Sequence, residues 1–133
     1  MKKITLKRAK KKAWDAFSVF IRTSAPPLSS TKKTCYTCGI VKDWREMDAG
    51  HGIPGRNNAV LFMEEVVKNQ CQQCNRFKHG RLDVFTVKLI DDMGRSKYDE
   101  LVSLSKQTVQ YKTYQYLEIY EKYKQKANEY LKI

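Results

Sequence analysis

Apolar residues near the N-terminus recur at helical spacing. Trp14, Phe17, Phe20 and Ile21 share one face and predict a helix over 4–22. "SAPPLSSTKK" ends it, with Pro26 and Pro27 as breakers. The periodicity then breaks up. Gly39, Gly50, Gly52 and Gly55 make 34–81 rich in turns. Within it "EMDAGHGI" reads as a short strand entering a loop, "FMEEVVKNQC" fits helix or strand equally, and "CNRFKHG" reads as a short helix closed by Gly80. A helical period returns in "LDVFTVKLIDDMG", with Phe85, Leu89 and Met93 on one face, Asp83 as N-cap and Gly94 as the stop. Ser96 and Asp99 suggest a capping-box-like start to the next helix, which carries Tyr98, Leu101 and Val102. A last helix over 111–131 lines up Tyr116, Tyr120, Tyr123, Ala127 and Tyr130. That stripe reads as a packing face, since a helix is a poor platform for stacking bases. The pattern divides the chain into a basic N-terminal helix and linker (1–33), a cysteine-bearing core (34–81) and a helical C-terminal region (82–133).

Length and charge narrow the function classes. A chain of 133 residues is one domain, with a core of modest size. The net charge is +12, from 26 Lys+Arg against 14 Asp+Glu, which points to a polyanionic partner such as DNA, RNA or an anionic membrane. No stretch approaches the roughly 18 apolar residues of a membrane span, so no membrane partner is expected. No cleavable secretory signal is evident, so the expected location is the cytoplasm. Residues 1–12 carry seven basic residues and no acid. They suit either a phosphate-binding arm or a solvated helix start.

Four cysteines fall in two pairs, "CYTC" and "CQQC". In a reducing compartment such pairs hold metal more often than they form disulfides. Cys35, Cys38, Cys71 and Cys74 suit a tetrahedral zinc site of four thiolates. Zinc binding, worth roughly 10 kcal/mol or more, readily offsets closing the 32-residue loop between the pairs. A closed site of this kind is structural, and it leaves His51 outside the ligand set.

Asp48, His51 and Asn75 form a second constellation. A neutral imidazole can take a proton from water near pH 7. An Asp carboxylate and an Asn carbonyl offer oxygens that suit Mg2+ or Mn2+. The trio therefore suits phosphodiester cleavage. From the residues alone, a histidine that merely hydrogen-bonds within its loop fits equally well.

The arrangement of CxxC, Gly-His and "CQQCN" with a basic helix resembles the zinc-stapled branch of the HNH (ββα-metal) nucleases. The ordered set "AFSVFIR", "CYTCG", "DAGH", "LFMEE", "QCQQCNRFKHG" and "VKLIDDMG" is similar to the phage lambda NinG/Rap recombination endonuclease family. The resemblance runs from about Trp14 to Leu104. It implies that His51 is the general base, that Asn75 and Asp48 hold a catalytic ion, and that the substrate is branched recombination DNA. It also implies, before the second cysteine pair, an asparagine that braces the His51 loop and a histidine close by, where this chain has Val66 and Lys68.

The expectation is thus an α+β protein with a zinc-stapled, HNH-like ββα-metal core between N- and C-terminal helices. It would be a DNA endonuclease in which Arg76, Lys78, His79 and Arg81 contact phosphates. Zn2+ is structural and Mg2+ or Mn2+ catalytic. A phage-encoded member would act in the host cytoplasm, and paired nicks across a junction would suit a two-fold homodimer. The alternatives are a non-catalytic zinc DNA-binding or assembly module and a general HNH nicking enzyme.

Overall fold

The computed structural model describes residues 3–54 and 58–131, so Gly55, the first two residues of the basic segment and the last two of the C-terminal region lie outside it. Helix α1 (Leu6–Thr23) starts two residues after the expected position because Thr5 caps it, its Oγ1 accepting from the Arg8 amide at 3.2 Å. Its apolar face, including Ala9, Ala13, Phe17, Phe20 and Ile21, is buried. Helix α5 (Thr113–Leu131) lies along that face. Tyr123 meets Phe17 edge-on at 4.7 Å and Phe20 at 5.3 Å, and Tyr116 closes a second cluster with Ala9 and Ala13. The tyrosine stripe is therefore a packing face.

The cysteine segment folds into two small antiparallel sheets. Strands β1 (Lys32–Thr34) and β2 (Val41–Asp43) form the first. Strands β3 (Met47–His51) and β4 (Val67–Cys71) form the second, pairing Met47 with Cys71 and His51 with Val67. The ambiguous "FMEEVVKNQC" is thus strand in its second half. A four-residue helix α2 (Asn58–Leu61) lies between β3 and β4. After β4 come one π-type turn (Gln73–Phe77) and one 3-10 turn (His79–Arg81), in place of the single short helix that the sequence suggests. Gly80, at φ 74°, breaks that run.

Helix α3 (Leu82–Met93) stops at Gly94, whose amide bonds the Ile90 carbonyl at 2.8 Å. Asp83 is not its N-cap. The preceding residue is Arg81 in a left-handed conformation, and Asp83 sits in the first turn, accepting from Arg81 Nε at 3.2 Å. Helix α4 (Arg95–Ser105) follows Gly94 directly, so Ser96 has no capping position, and Asp99 instead pairs with Arg95 at 3.0 Å.

One core unites these elements. Phe17, Phe20 and Ile21 meet Val66 and Val67, Phe85 and Leu89 of α3, Leu101 of α4 and Tyr123 of α5. At Gly52 a Cβ would lie 2.5 Å from both Phe85 and Leu89, so the chain leaving β3 runs hard against α3. Glu64 ties the loop before β4 to α5, accepting from Tyr123 at 2.8 Å and Lys126 at 3.1 Å. Among the described residues no helix is long and apolar enough to cross a membrane. The fold is mixed α+β.

Candidate metal centre and adjoining cleft

Cys35 and Cys38 lie on a tight turn after β1, closed by the Gly39 amide on the Cys35 carbonyl at 3.0 Å. Gly39 has φ 82°, which favours glycine there. Cys71 ends β4 and Cys74 sits in the π-type turn. β4 holds the two halves together. The Tyr36 amide bonds the Asn69 carbonyl at 2.8 Å, and Asn69 Nδ2 donates to the Thr34 carbonyl at 3.0 Å. The four sulfurs all lie within 4.8 Å of one another, and Cys38 and Cys71 are 3.7 Å apart. A tetrahedral site with Zn–S bonds of about 2.3 Å has edges of about 3.8 Å. Burial disfavours the Cys35 thiolate, but hydrogen bonds from Thr37 and nearby backbone amides outweigh it and bring its pKa down to about 6. Burial and the neighbouring thiols push Cys71 up to about 12. A cation is what allows all four to ionise together. The four cysteines could bind a metal such as zinc, and that donor set is complete without His51.

Beside this cluster, α1, β3 and the turns after β4 enclose an open cleft of about 560 Å³. Asp48, His51, Asn75, Arg76 and His79 all line it. Asp48 accepts from Asn75 Nδ2 at 3.0 Å and from Arg76 through Nε at 2.8 Å and Nη2 at 3.0 Å. The His51 ring stacks on Trp14, with centroids 5.1 Å apart and planes 19° apart. Its Nε2 lies 3.4 Å from the Leu61 carbonyl.

Gly50 links the cleft to the cysteines. A Cβ there would lie 1.8 Å from Gln70 Oε1 and 3.2 Å from Asn75 Oδ1. Gln70 is fully buried, and its Nε2 donates to Thr37 Oγ1 at 3.0 Å and to the Gly80 carbonyl at 2.8 Å. One amide thus touches the His51 strand, the first cysteine turn and the chain beyond Asn75.

The other expected phosphate contacts lie elsewhere. Lys78 is exposed and outside the cleft lining. Arg81 is turned toward Asp83 and the Cys38 and Cys74 thiols. Val66 is 0 % exposed and belongs to the core, and Lys68 reaches over the Tyr36 ring at 5.6 Å. Sequence reasoning missed a wall of the cleft formed by Trp14, Ser18 and Arg22. These residues are four apart on α1, and that spacing was the available signal. It also missed Gln70 and the requirement for Gly50.

A family model described as Bacteriophage Lambda NinG protein matches residues 1–132. The chain is 32% identical over 94 residues to Protein ninG of Escherichia phage 933W and to that of Enterobacteria phage VT2-Sa. It is equally similar to Protein ninG of Salmonella phage P22. Each alignment covers 70% of this chain and 43–44% of the relative, so the chain spans less than half the length of the curated relatives it matches. No solved structure matches. On the family match and these relatives together, the chain belongs to the NinG family of bacteriophage proteins.

Proposed function

We propose that this protein is an HNH-type DNA endonuclease that nicks branched DNA in the host cytoplasm. The observation that carries this reading is convergence: His51 at the end of β3 and Asn75 in the turn after β4 meet Asp48 in one cleft beside four clustered cysteines. The net charge of +12 supports a nucleic-acid partner. In this reading the His51 imidazole takes a proton from water, the resulting hydroxide attacks phosphorus, and the P–O bond to the leaving sugar oxygen breaks. Stacking on Trp14 holds the ring plane.

Asp48 and Asn75 would hold the catalytic ion. Their side chains already touch, and turning the Asn75 amide presents its oxygen beside the carboxylate. A bound Mg2+ or Mn2+ supplies stabilisation of charge on the phosphate and leaving oxygen. Arg76 must then release Asp48, which frees its guanidinium for a phosphate. Zinc held by Cys35, Cys38, Cys71 and Cys74 keeps the two halves of the site in register. Two copies acting across a junction would form a two-fold dimer.

The engagement of both Asp48 oxygens by Arg76 favours a second reading, a non-catalytic DNA-binding module. Plasmid nicking in Mg2+ or Mn2+ separates the two. The nuclease reading expects ion-dependent nicking that Asn75→Ala weakens and excess ion partly restores. Ion-independent binding without nicking supports the module.

A further inference from the structure

Arg22 is unlike the other arginines around the cleft. Arg76 is paired with Asp48 at 2.8 Å and Arg45 with Asp43 at 3.1 Å, and outside the cleft Arg81 is paired with Asp83 at 3.2 Å. Arg22 makes no ion pair among the described residues. It is half-buried and lines the cleft on the same α1 stripe as Trp14 and Ser18. Its guanidinium is nonetheless firmly placed. Nε donates to the Ser18 carbonyl at 3.2 Å and to Ser18 Oγ at 3.1 Å, Nη1 donates to the Trp44 carbonyl at 3.2 Å, and the group lies 5.1 Å over the Trp44 ring. Every one of these acceptors is neutral. A guanidinium has five N–H donors, and Nη2 has no protein acceptor among the described residues.

Burying a charge without a counter-charge is costly. Asp48 and Asp15 are near enough to favour the cation, but neither bonds it, and burial acts more strongly against it. A fixed, partly desolvated cation with donors left over suits an oxyanion arriving from outside.

We propose that Arg22 is a phosphate clamp: it grips a backbone phosphate of the strand in the cleft that His51 also lines. This rests on reading the cleft as a nucleic-acid site and adds an α1 residue to it.

The test is binding rather than cleavage. Fluorescence anisotropy of a labelled four-way junction, without added divalent ion, is followed against salt for wild type, Arg22→Gln and Arg22→Lys. Arg22→Gln is expected to bind about tenfold more weakly and to flatten the log K against log salt slope by about 0.9, the signature of one phosphate no longer neutralised. Arg22→Lys is expected to keep the slope but lose affinity several-fold, because an ammonium lacks the bidentate fork. A glutamine variant with wild-type affinity and slope overturns the assignment. If that variant fails to fold, lysine carries the test, and wild-type affinity in Arg22→Lys overturns the clamp. Nicking is assayed in parallel: wild type that binds with these effects but never nicks sinks the nuclease reading and leaves Arg22 in place.

Discussion

At Gly50 an added Cβ would stand 1.8 Å from Gln70 Oε1, and Gln70 cannot swing away without breaking its bonds to Thr37 and Gly80. Gly50→Ala is therefore expected to destabilise the protein by about 1–3 kcal/mol through overpacking. A chemical-denaturation midpoint equal to wild type would show that Gln70 yields freely. Val66 raises the opposite issue. The family resemblance places a bracing asparagine there, yet the position is 0 % exposed within the apolar core. An amide with no partner costs about 1–3 kcal/mol. Val66→Asn is expected to lower the melting temperature without raising any cleavage rate. A variant that is both faster and equally stable would mean the amide finds partners in the His51 loop.

Among the elements, β4 does most to join the site, because it carries Cys71, buries Gln70 and pairs with the His51 strand. Its hold on the first cysteine turn passes through the four sulfurs as well as Asn69. Cys35→Ser or Cys71→Ser is expected to unfold the region 34–81, seen as lost thermal cooperativity. Elemental analysis of protein prepared without chelator is expected to give one zinc per chain, and finding none would show that the four cysteines hold no zinc. Glu64 offers a pH test of the loop before β4. Burial raises its pKa, but hydrogen bonds from Tyr123 and Lys126 and the charges of Lys126 and Lys122 outweigh this and hold it below the ordinary 4.5. A depressed carboxyl stabilises the fold above its unfolded pKa, and that contribution fades as pH falls through the folded value. Glu64→Gln is expected to lower stability at neutral pH and to flatten the acid limb below about pH 4.5. An acid limb as steep as wild type would place the sensitivity elsewhere.

The same elements show what the sequence discloses and what it hides. The buried face of α1 follows from the spacing of Phe17, Phe20 and Ile21, and the cysteine cluster follows from two CxxC pairs. The β1–β2 hairpin is not legible, because its strands have three residues each and lack a clean inside–outside alternation. The cleft wall of Trp14, Ser18 and Arg22 is hidden for a related reason. Periodicity gives Trp14 to the packing face and the polar Ser18 and Arg22 to solvent, and only the crossing of α1 over β3 makes the three one surface of the site. Lys78 and Arg81 look equivalent to Arg76 in sequence. The irregular turns after β4, with Gly80 and Arg81 at positive φ, aim them differently.

At the scale of the whole molecule, residues 1–12 hold seven of the 26 basic residues and no acid, and from Leu6 onward they belong to helix α1 rather than to a tail. The basic segment is largely the exposed face of α1, whose other face buries Ala9, so removing 1–12 would damage the fold along with the charge. Neutralising Lys7, Arg8 and Lys10 with glutamine isolates the electrostatics. The salt slope of DNA binding is expected to fall by up to about 0.9 for each phosphate that these side chains neutralise, with the melting temperature unchanged. An identical slope would show that this face is only solvated. The role of His51 is decided by comparing zinc-loaded wild type with His51→Ala on a four-way junction and a linear duplex in Mg2+ or Mn2+. Wild type is expected to cleave the junction and the variant to lose about 100-fold or more, with DNA affinity and melting temperature preserved. Equal cleavage by the two proteins, or none by wild type with either ion, would contradict that role.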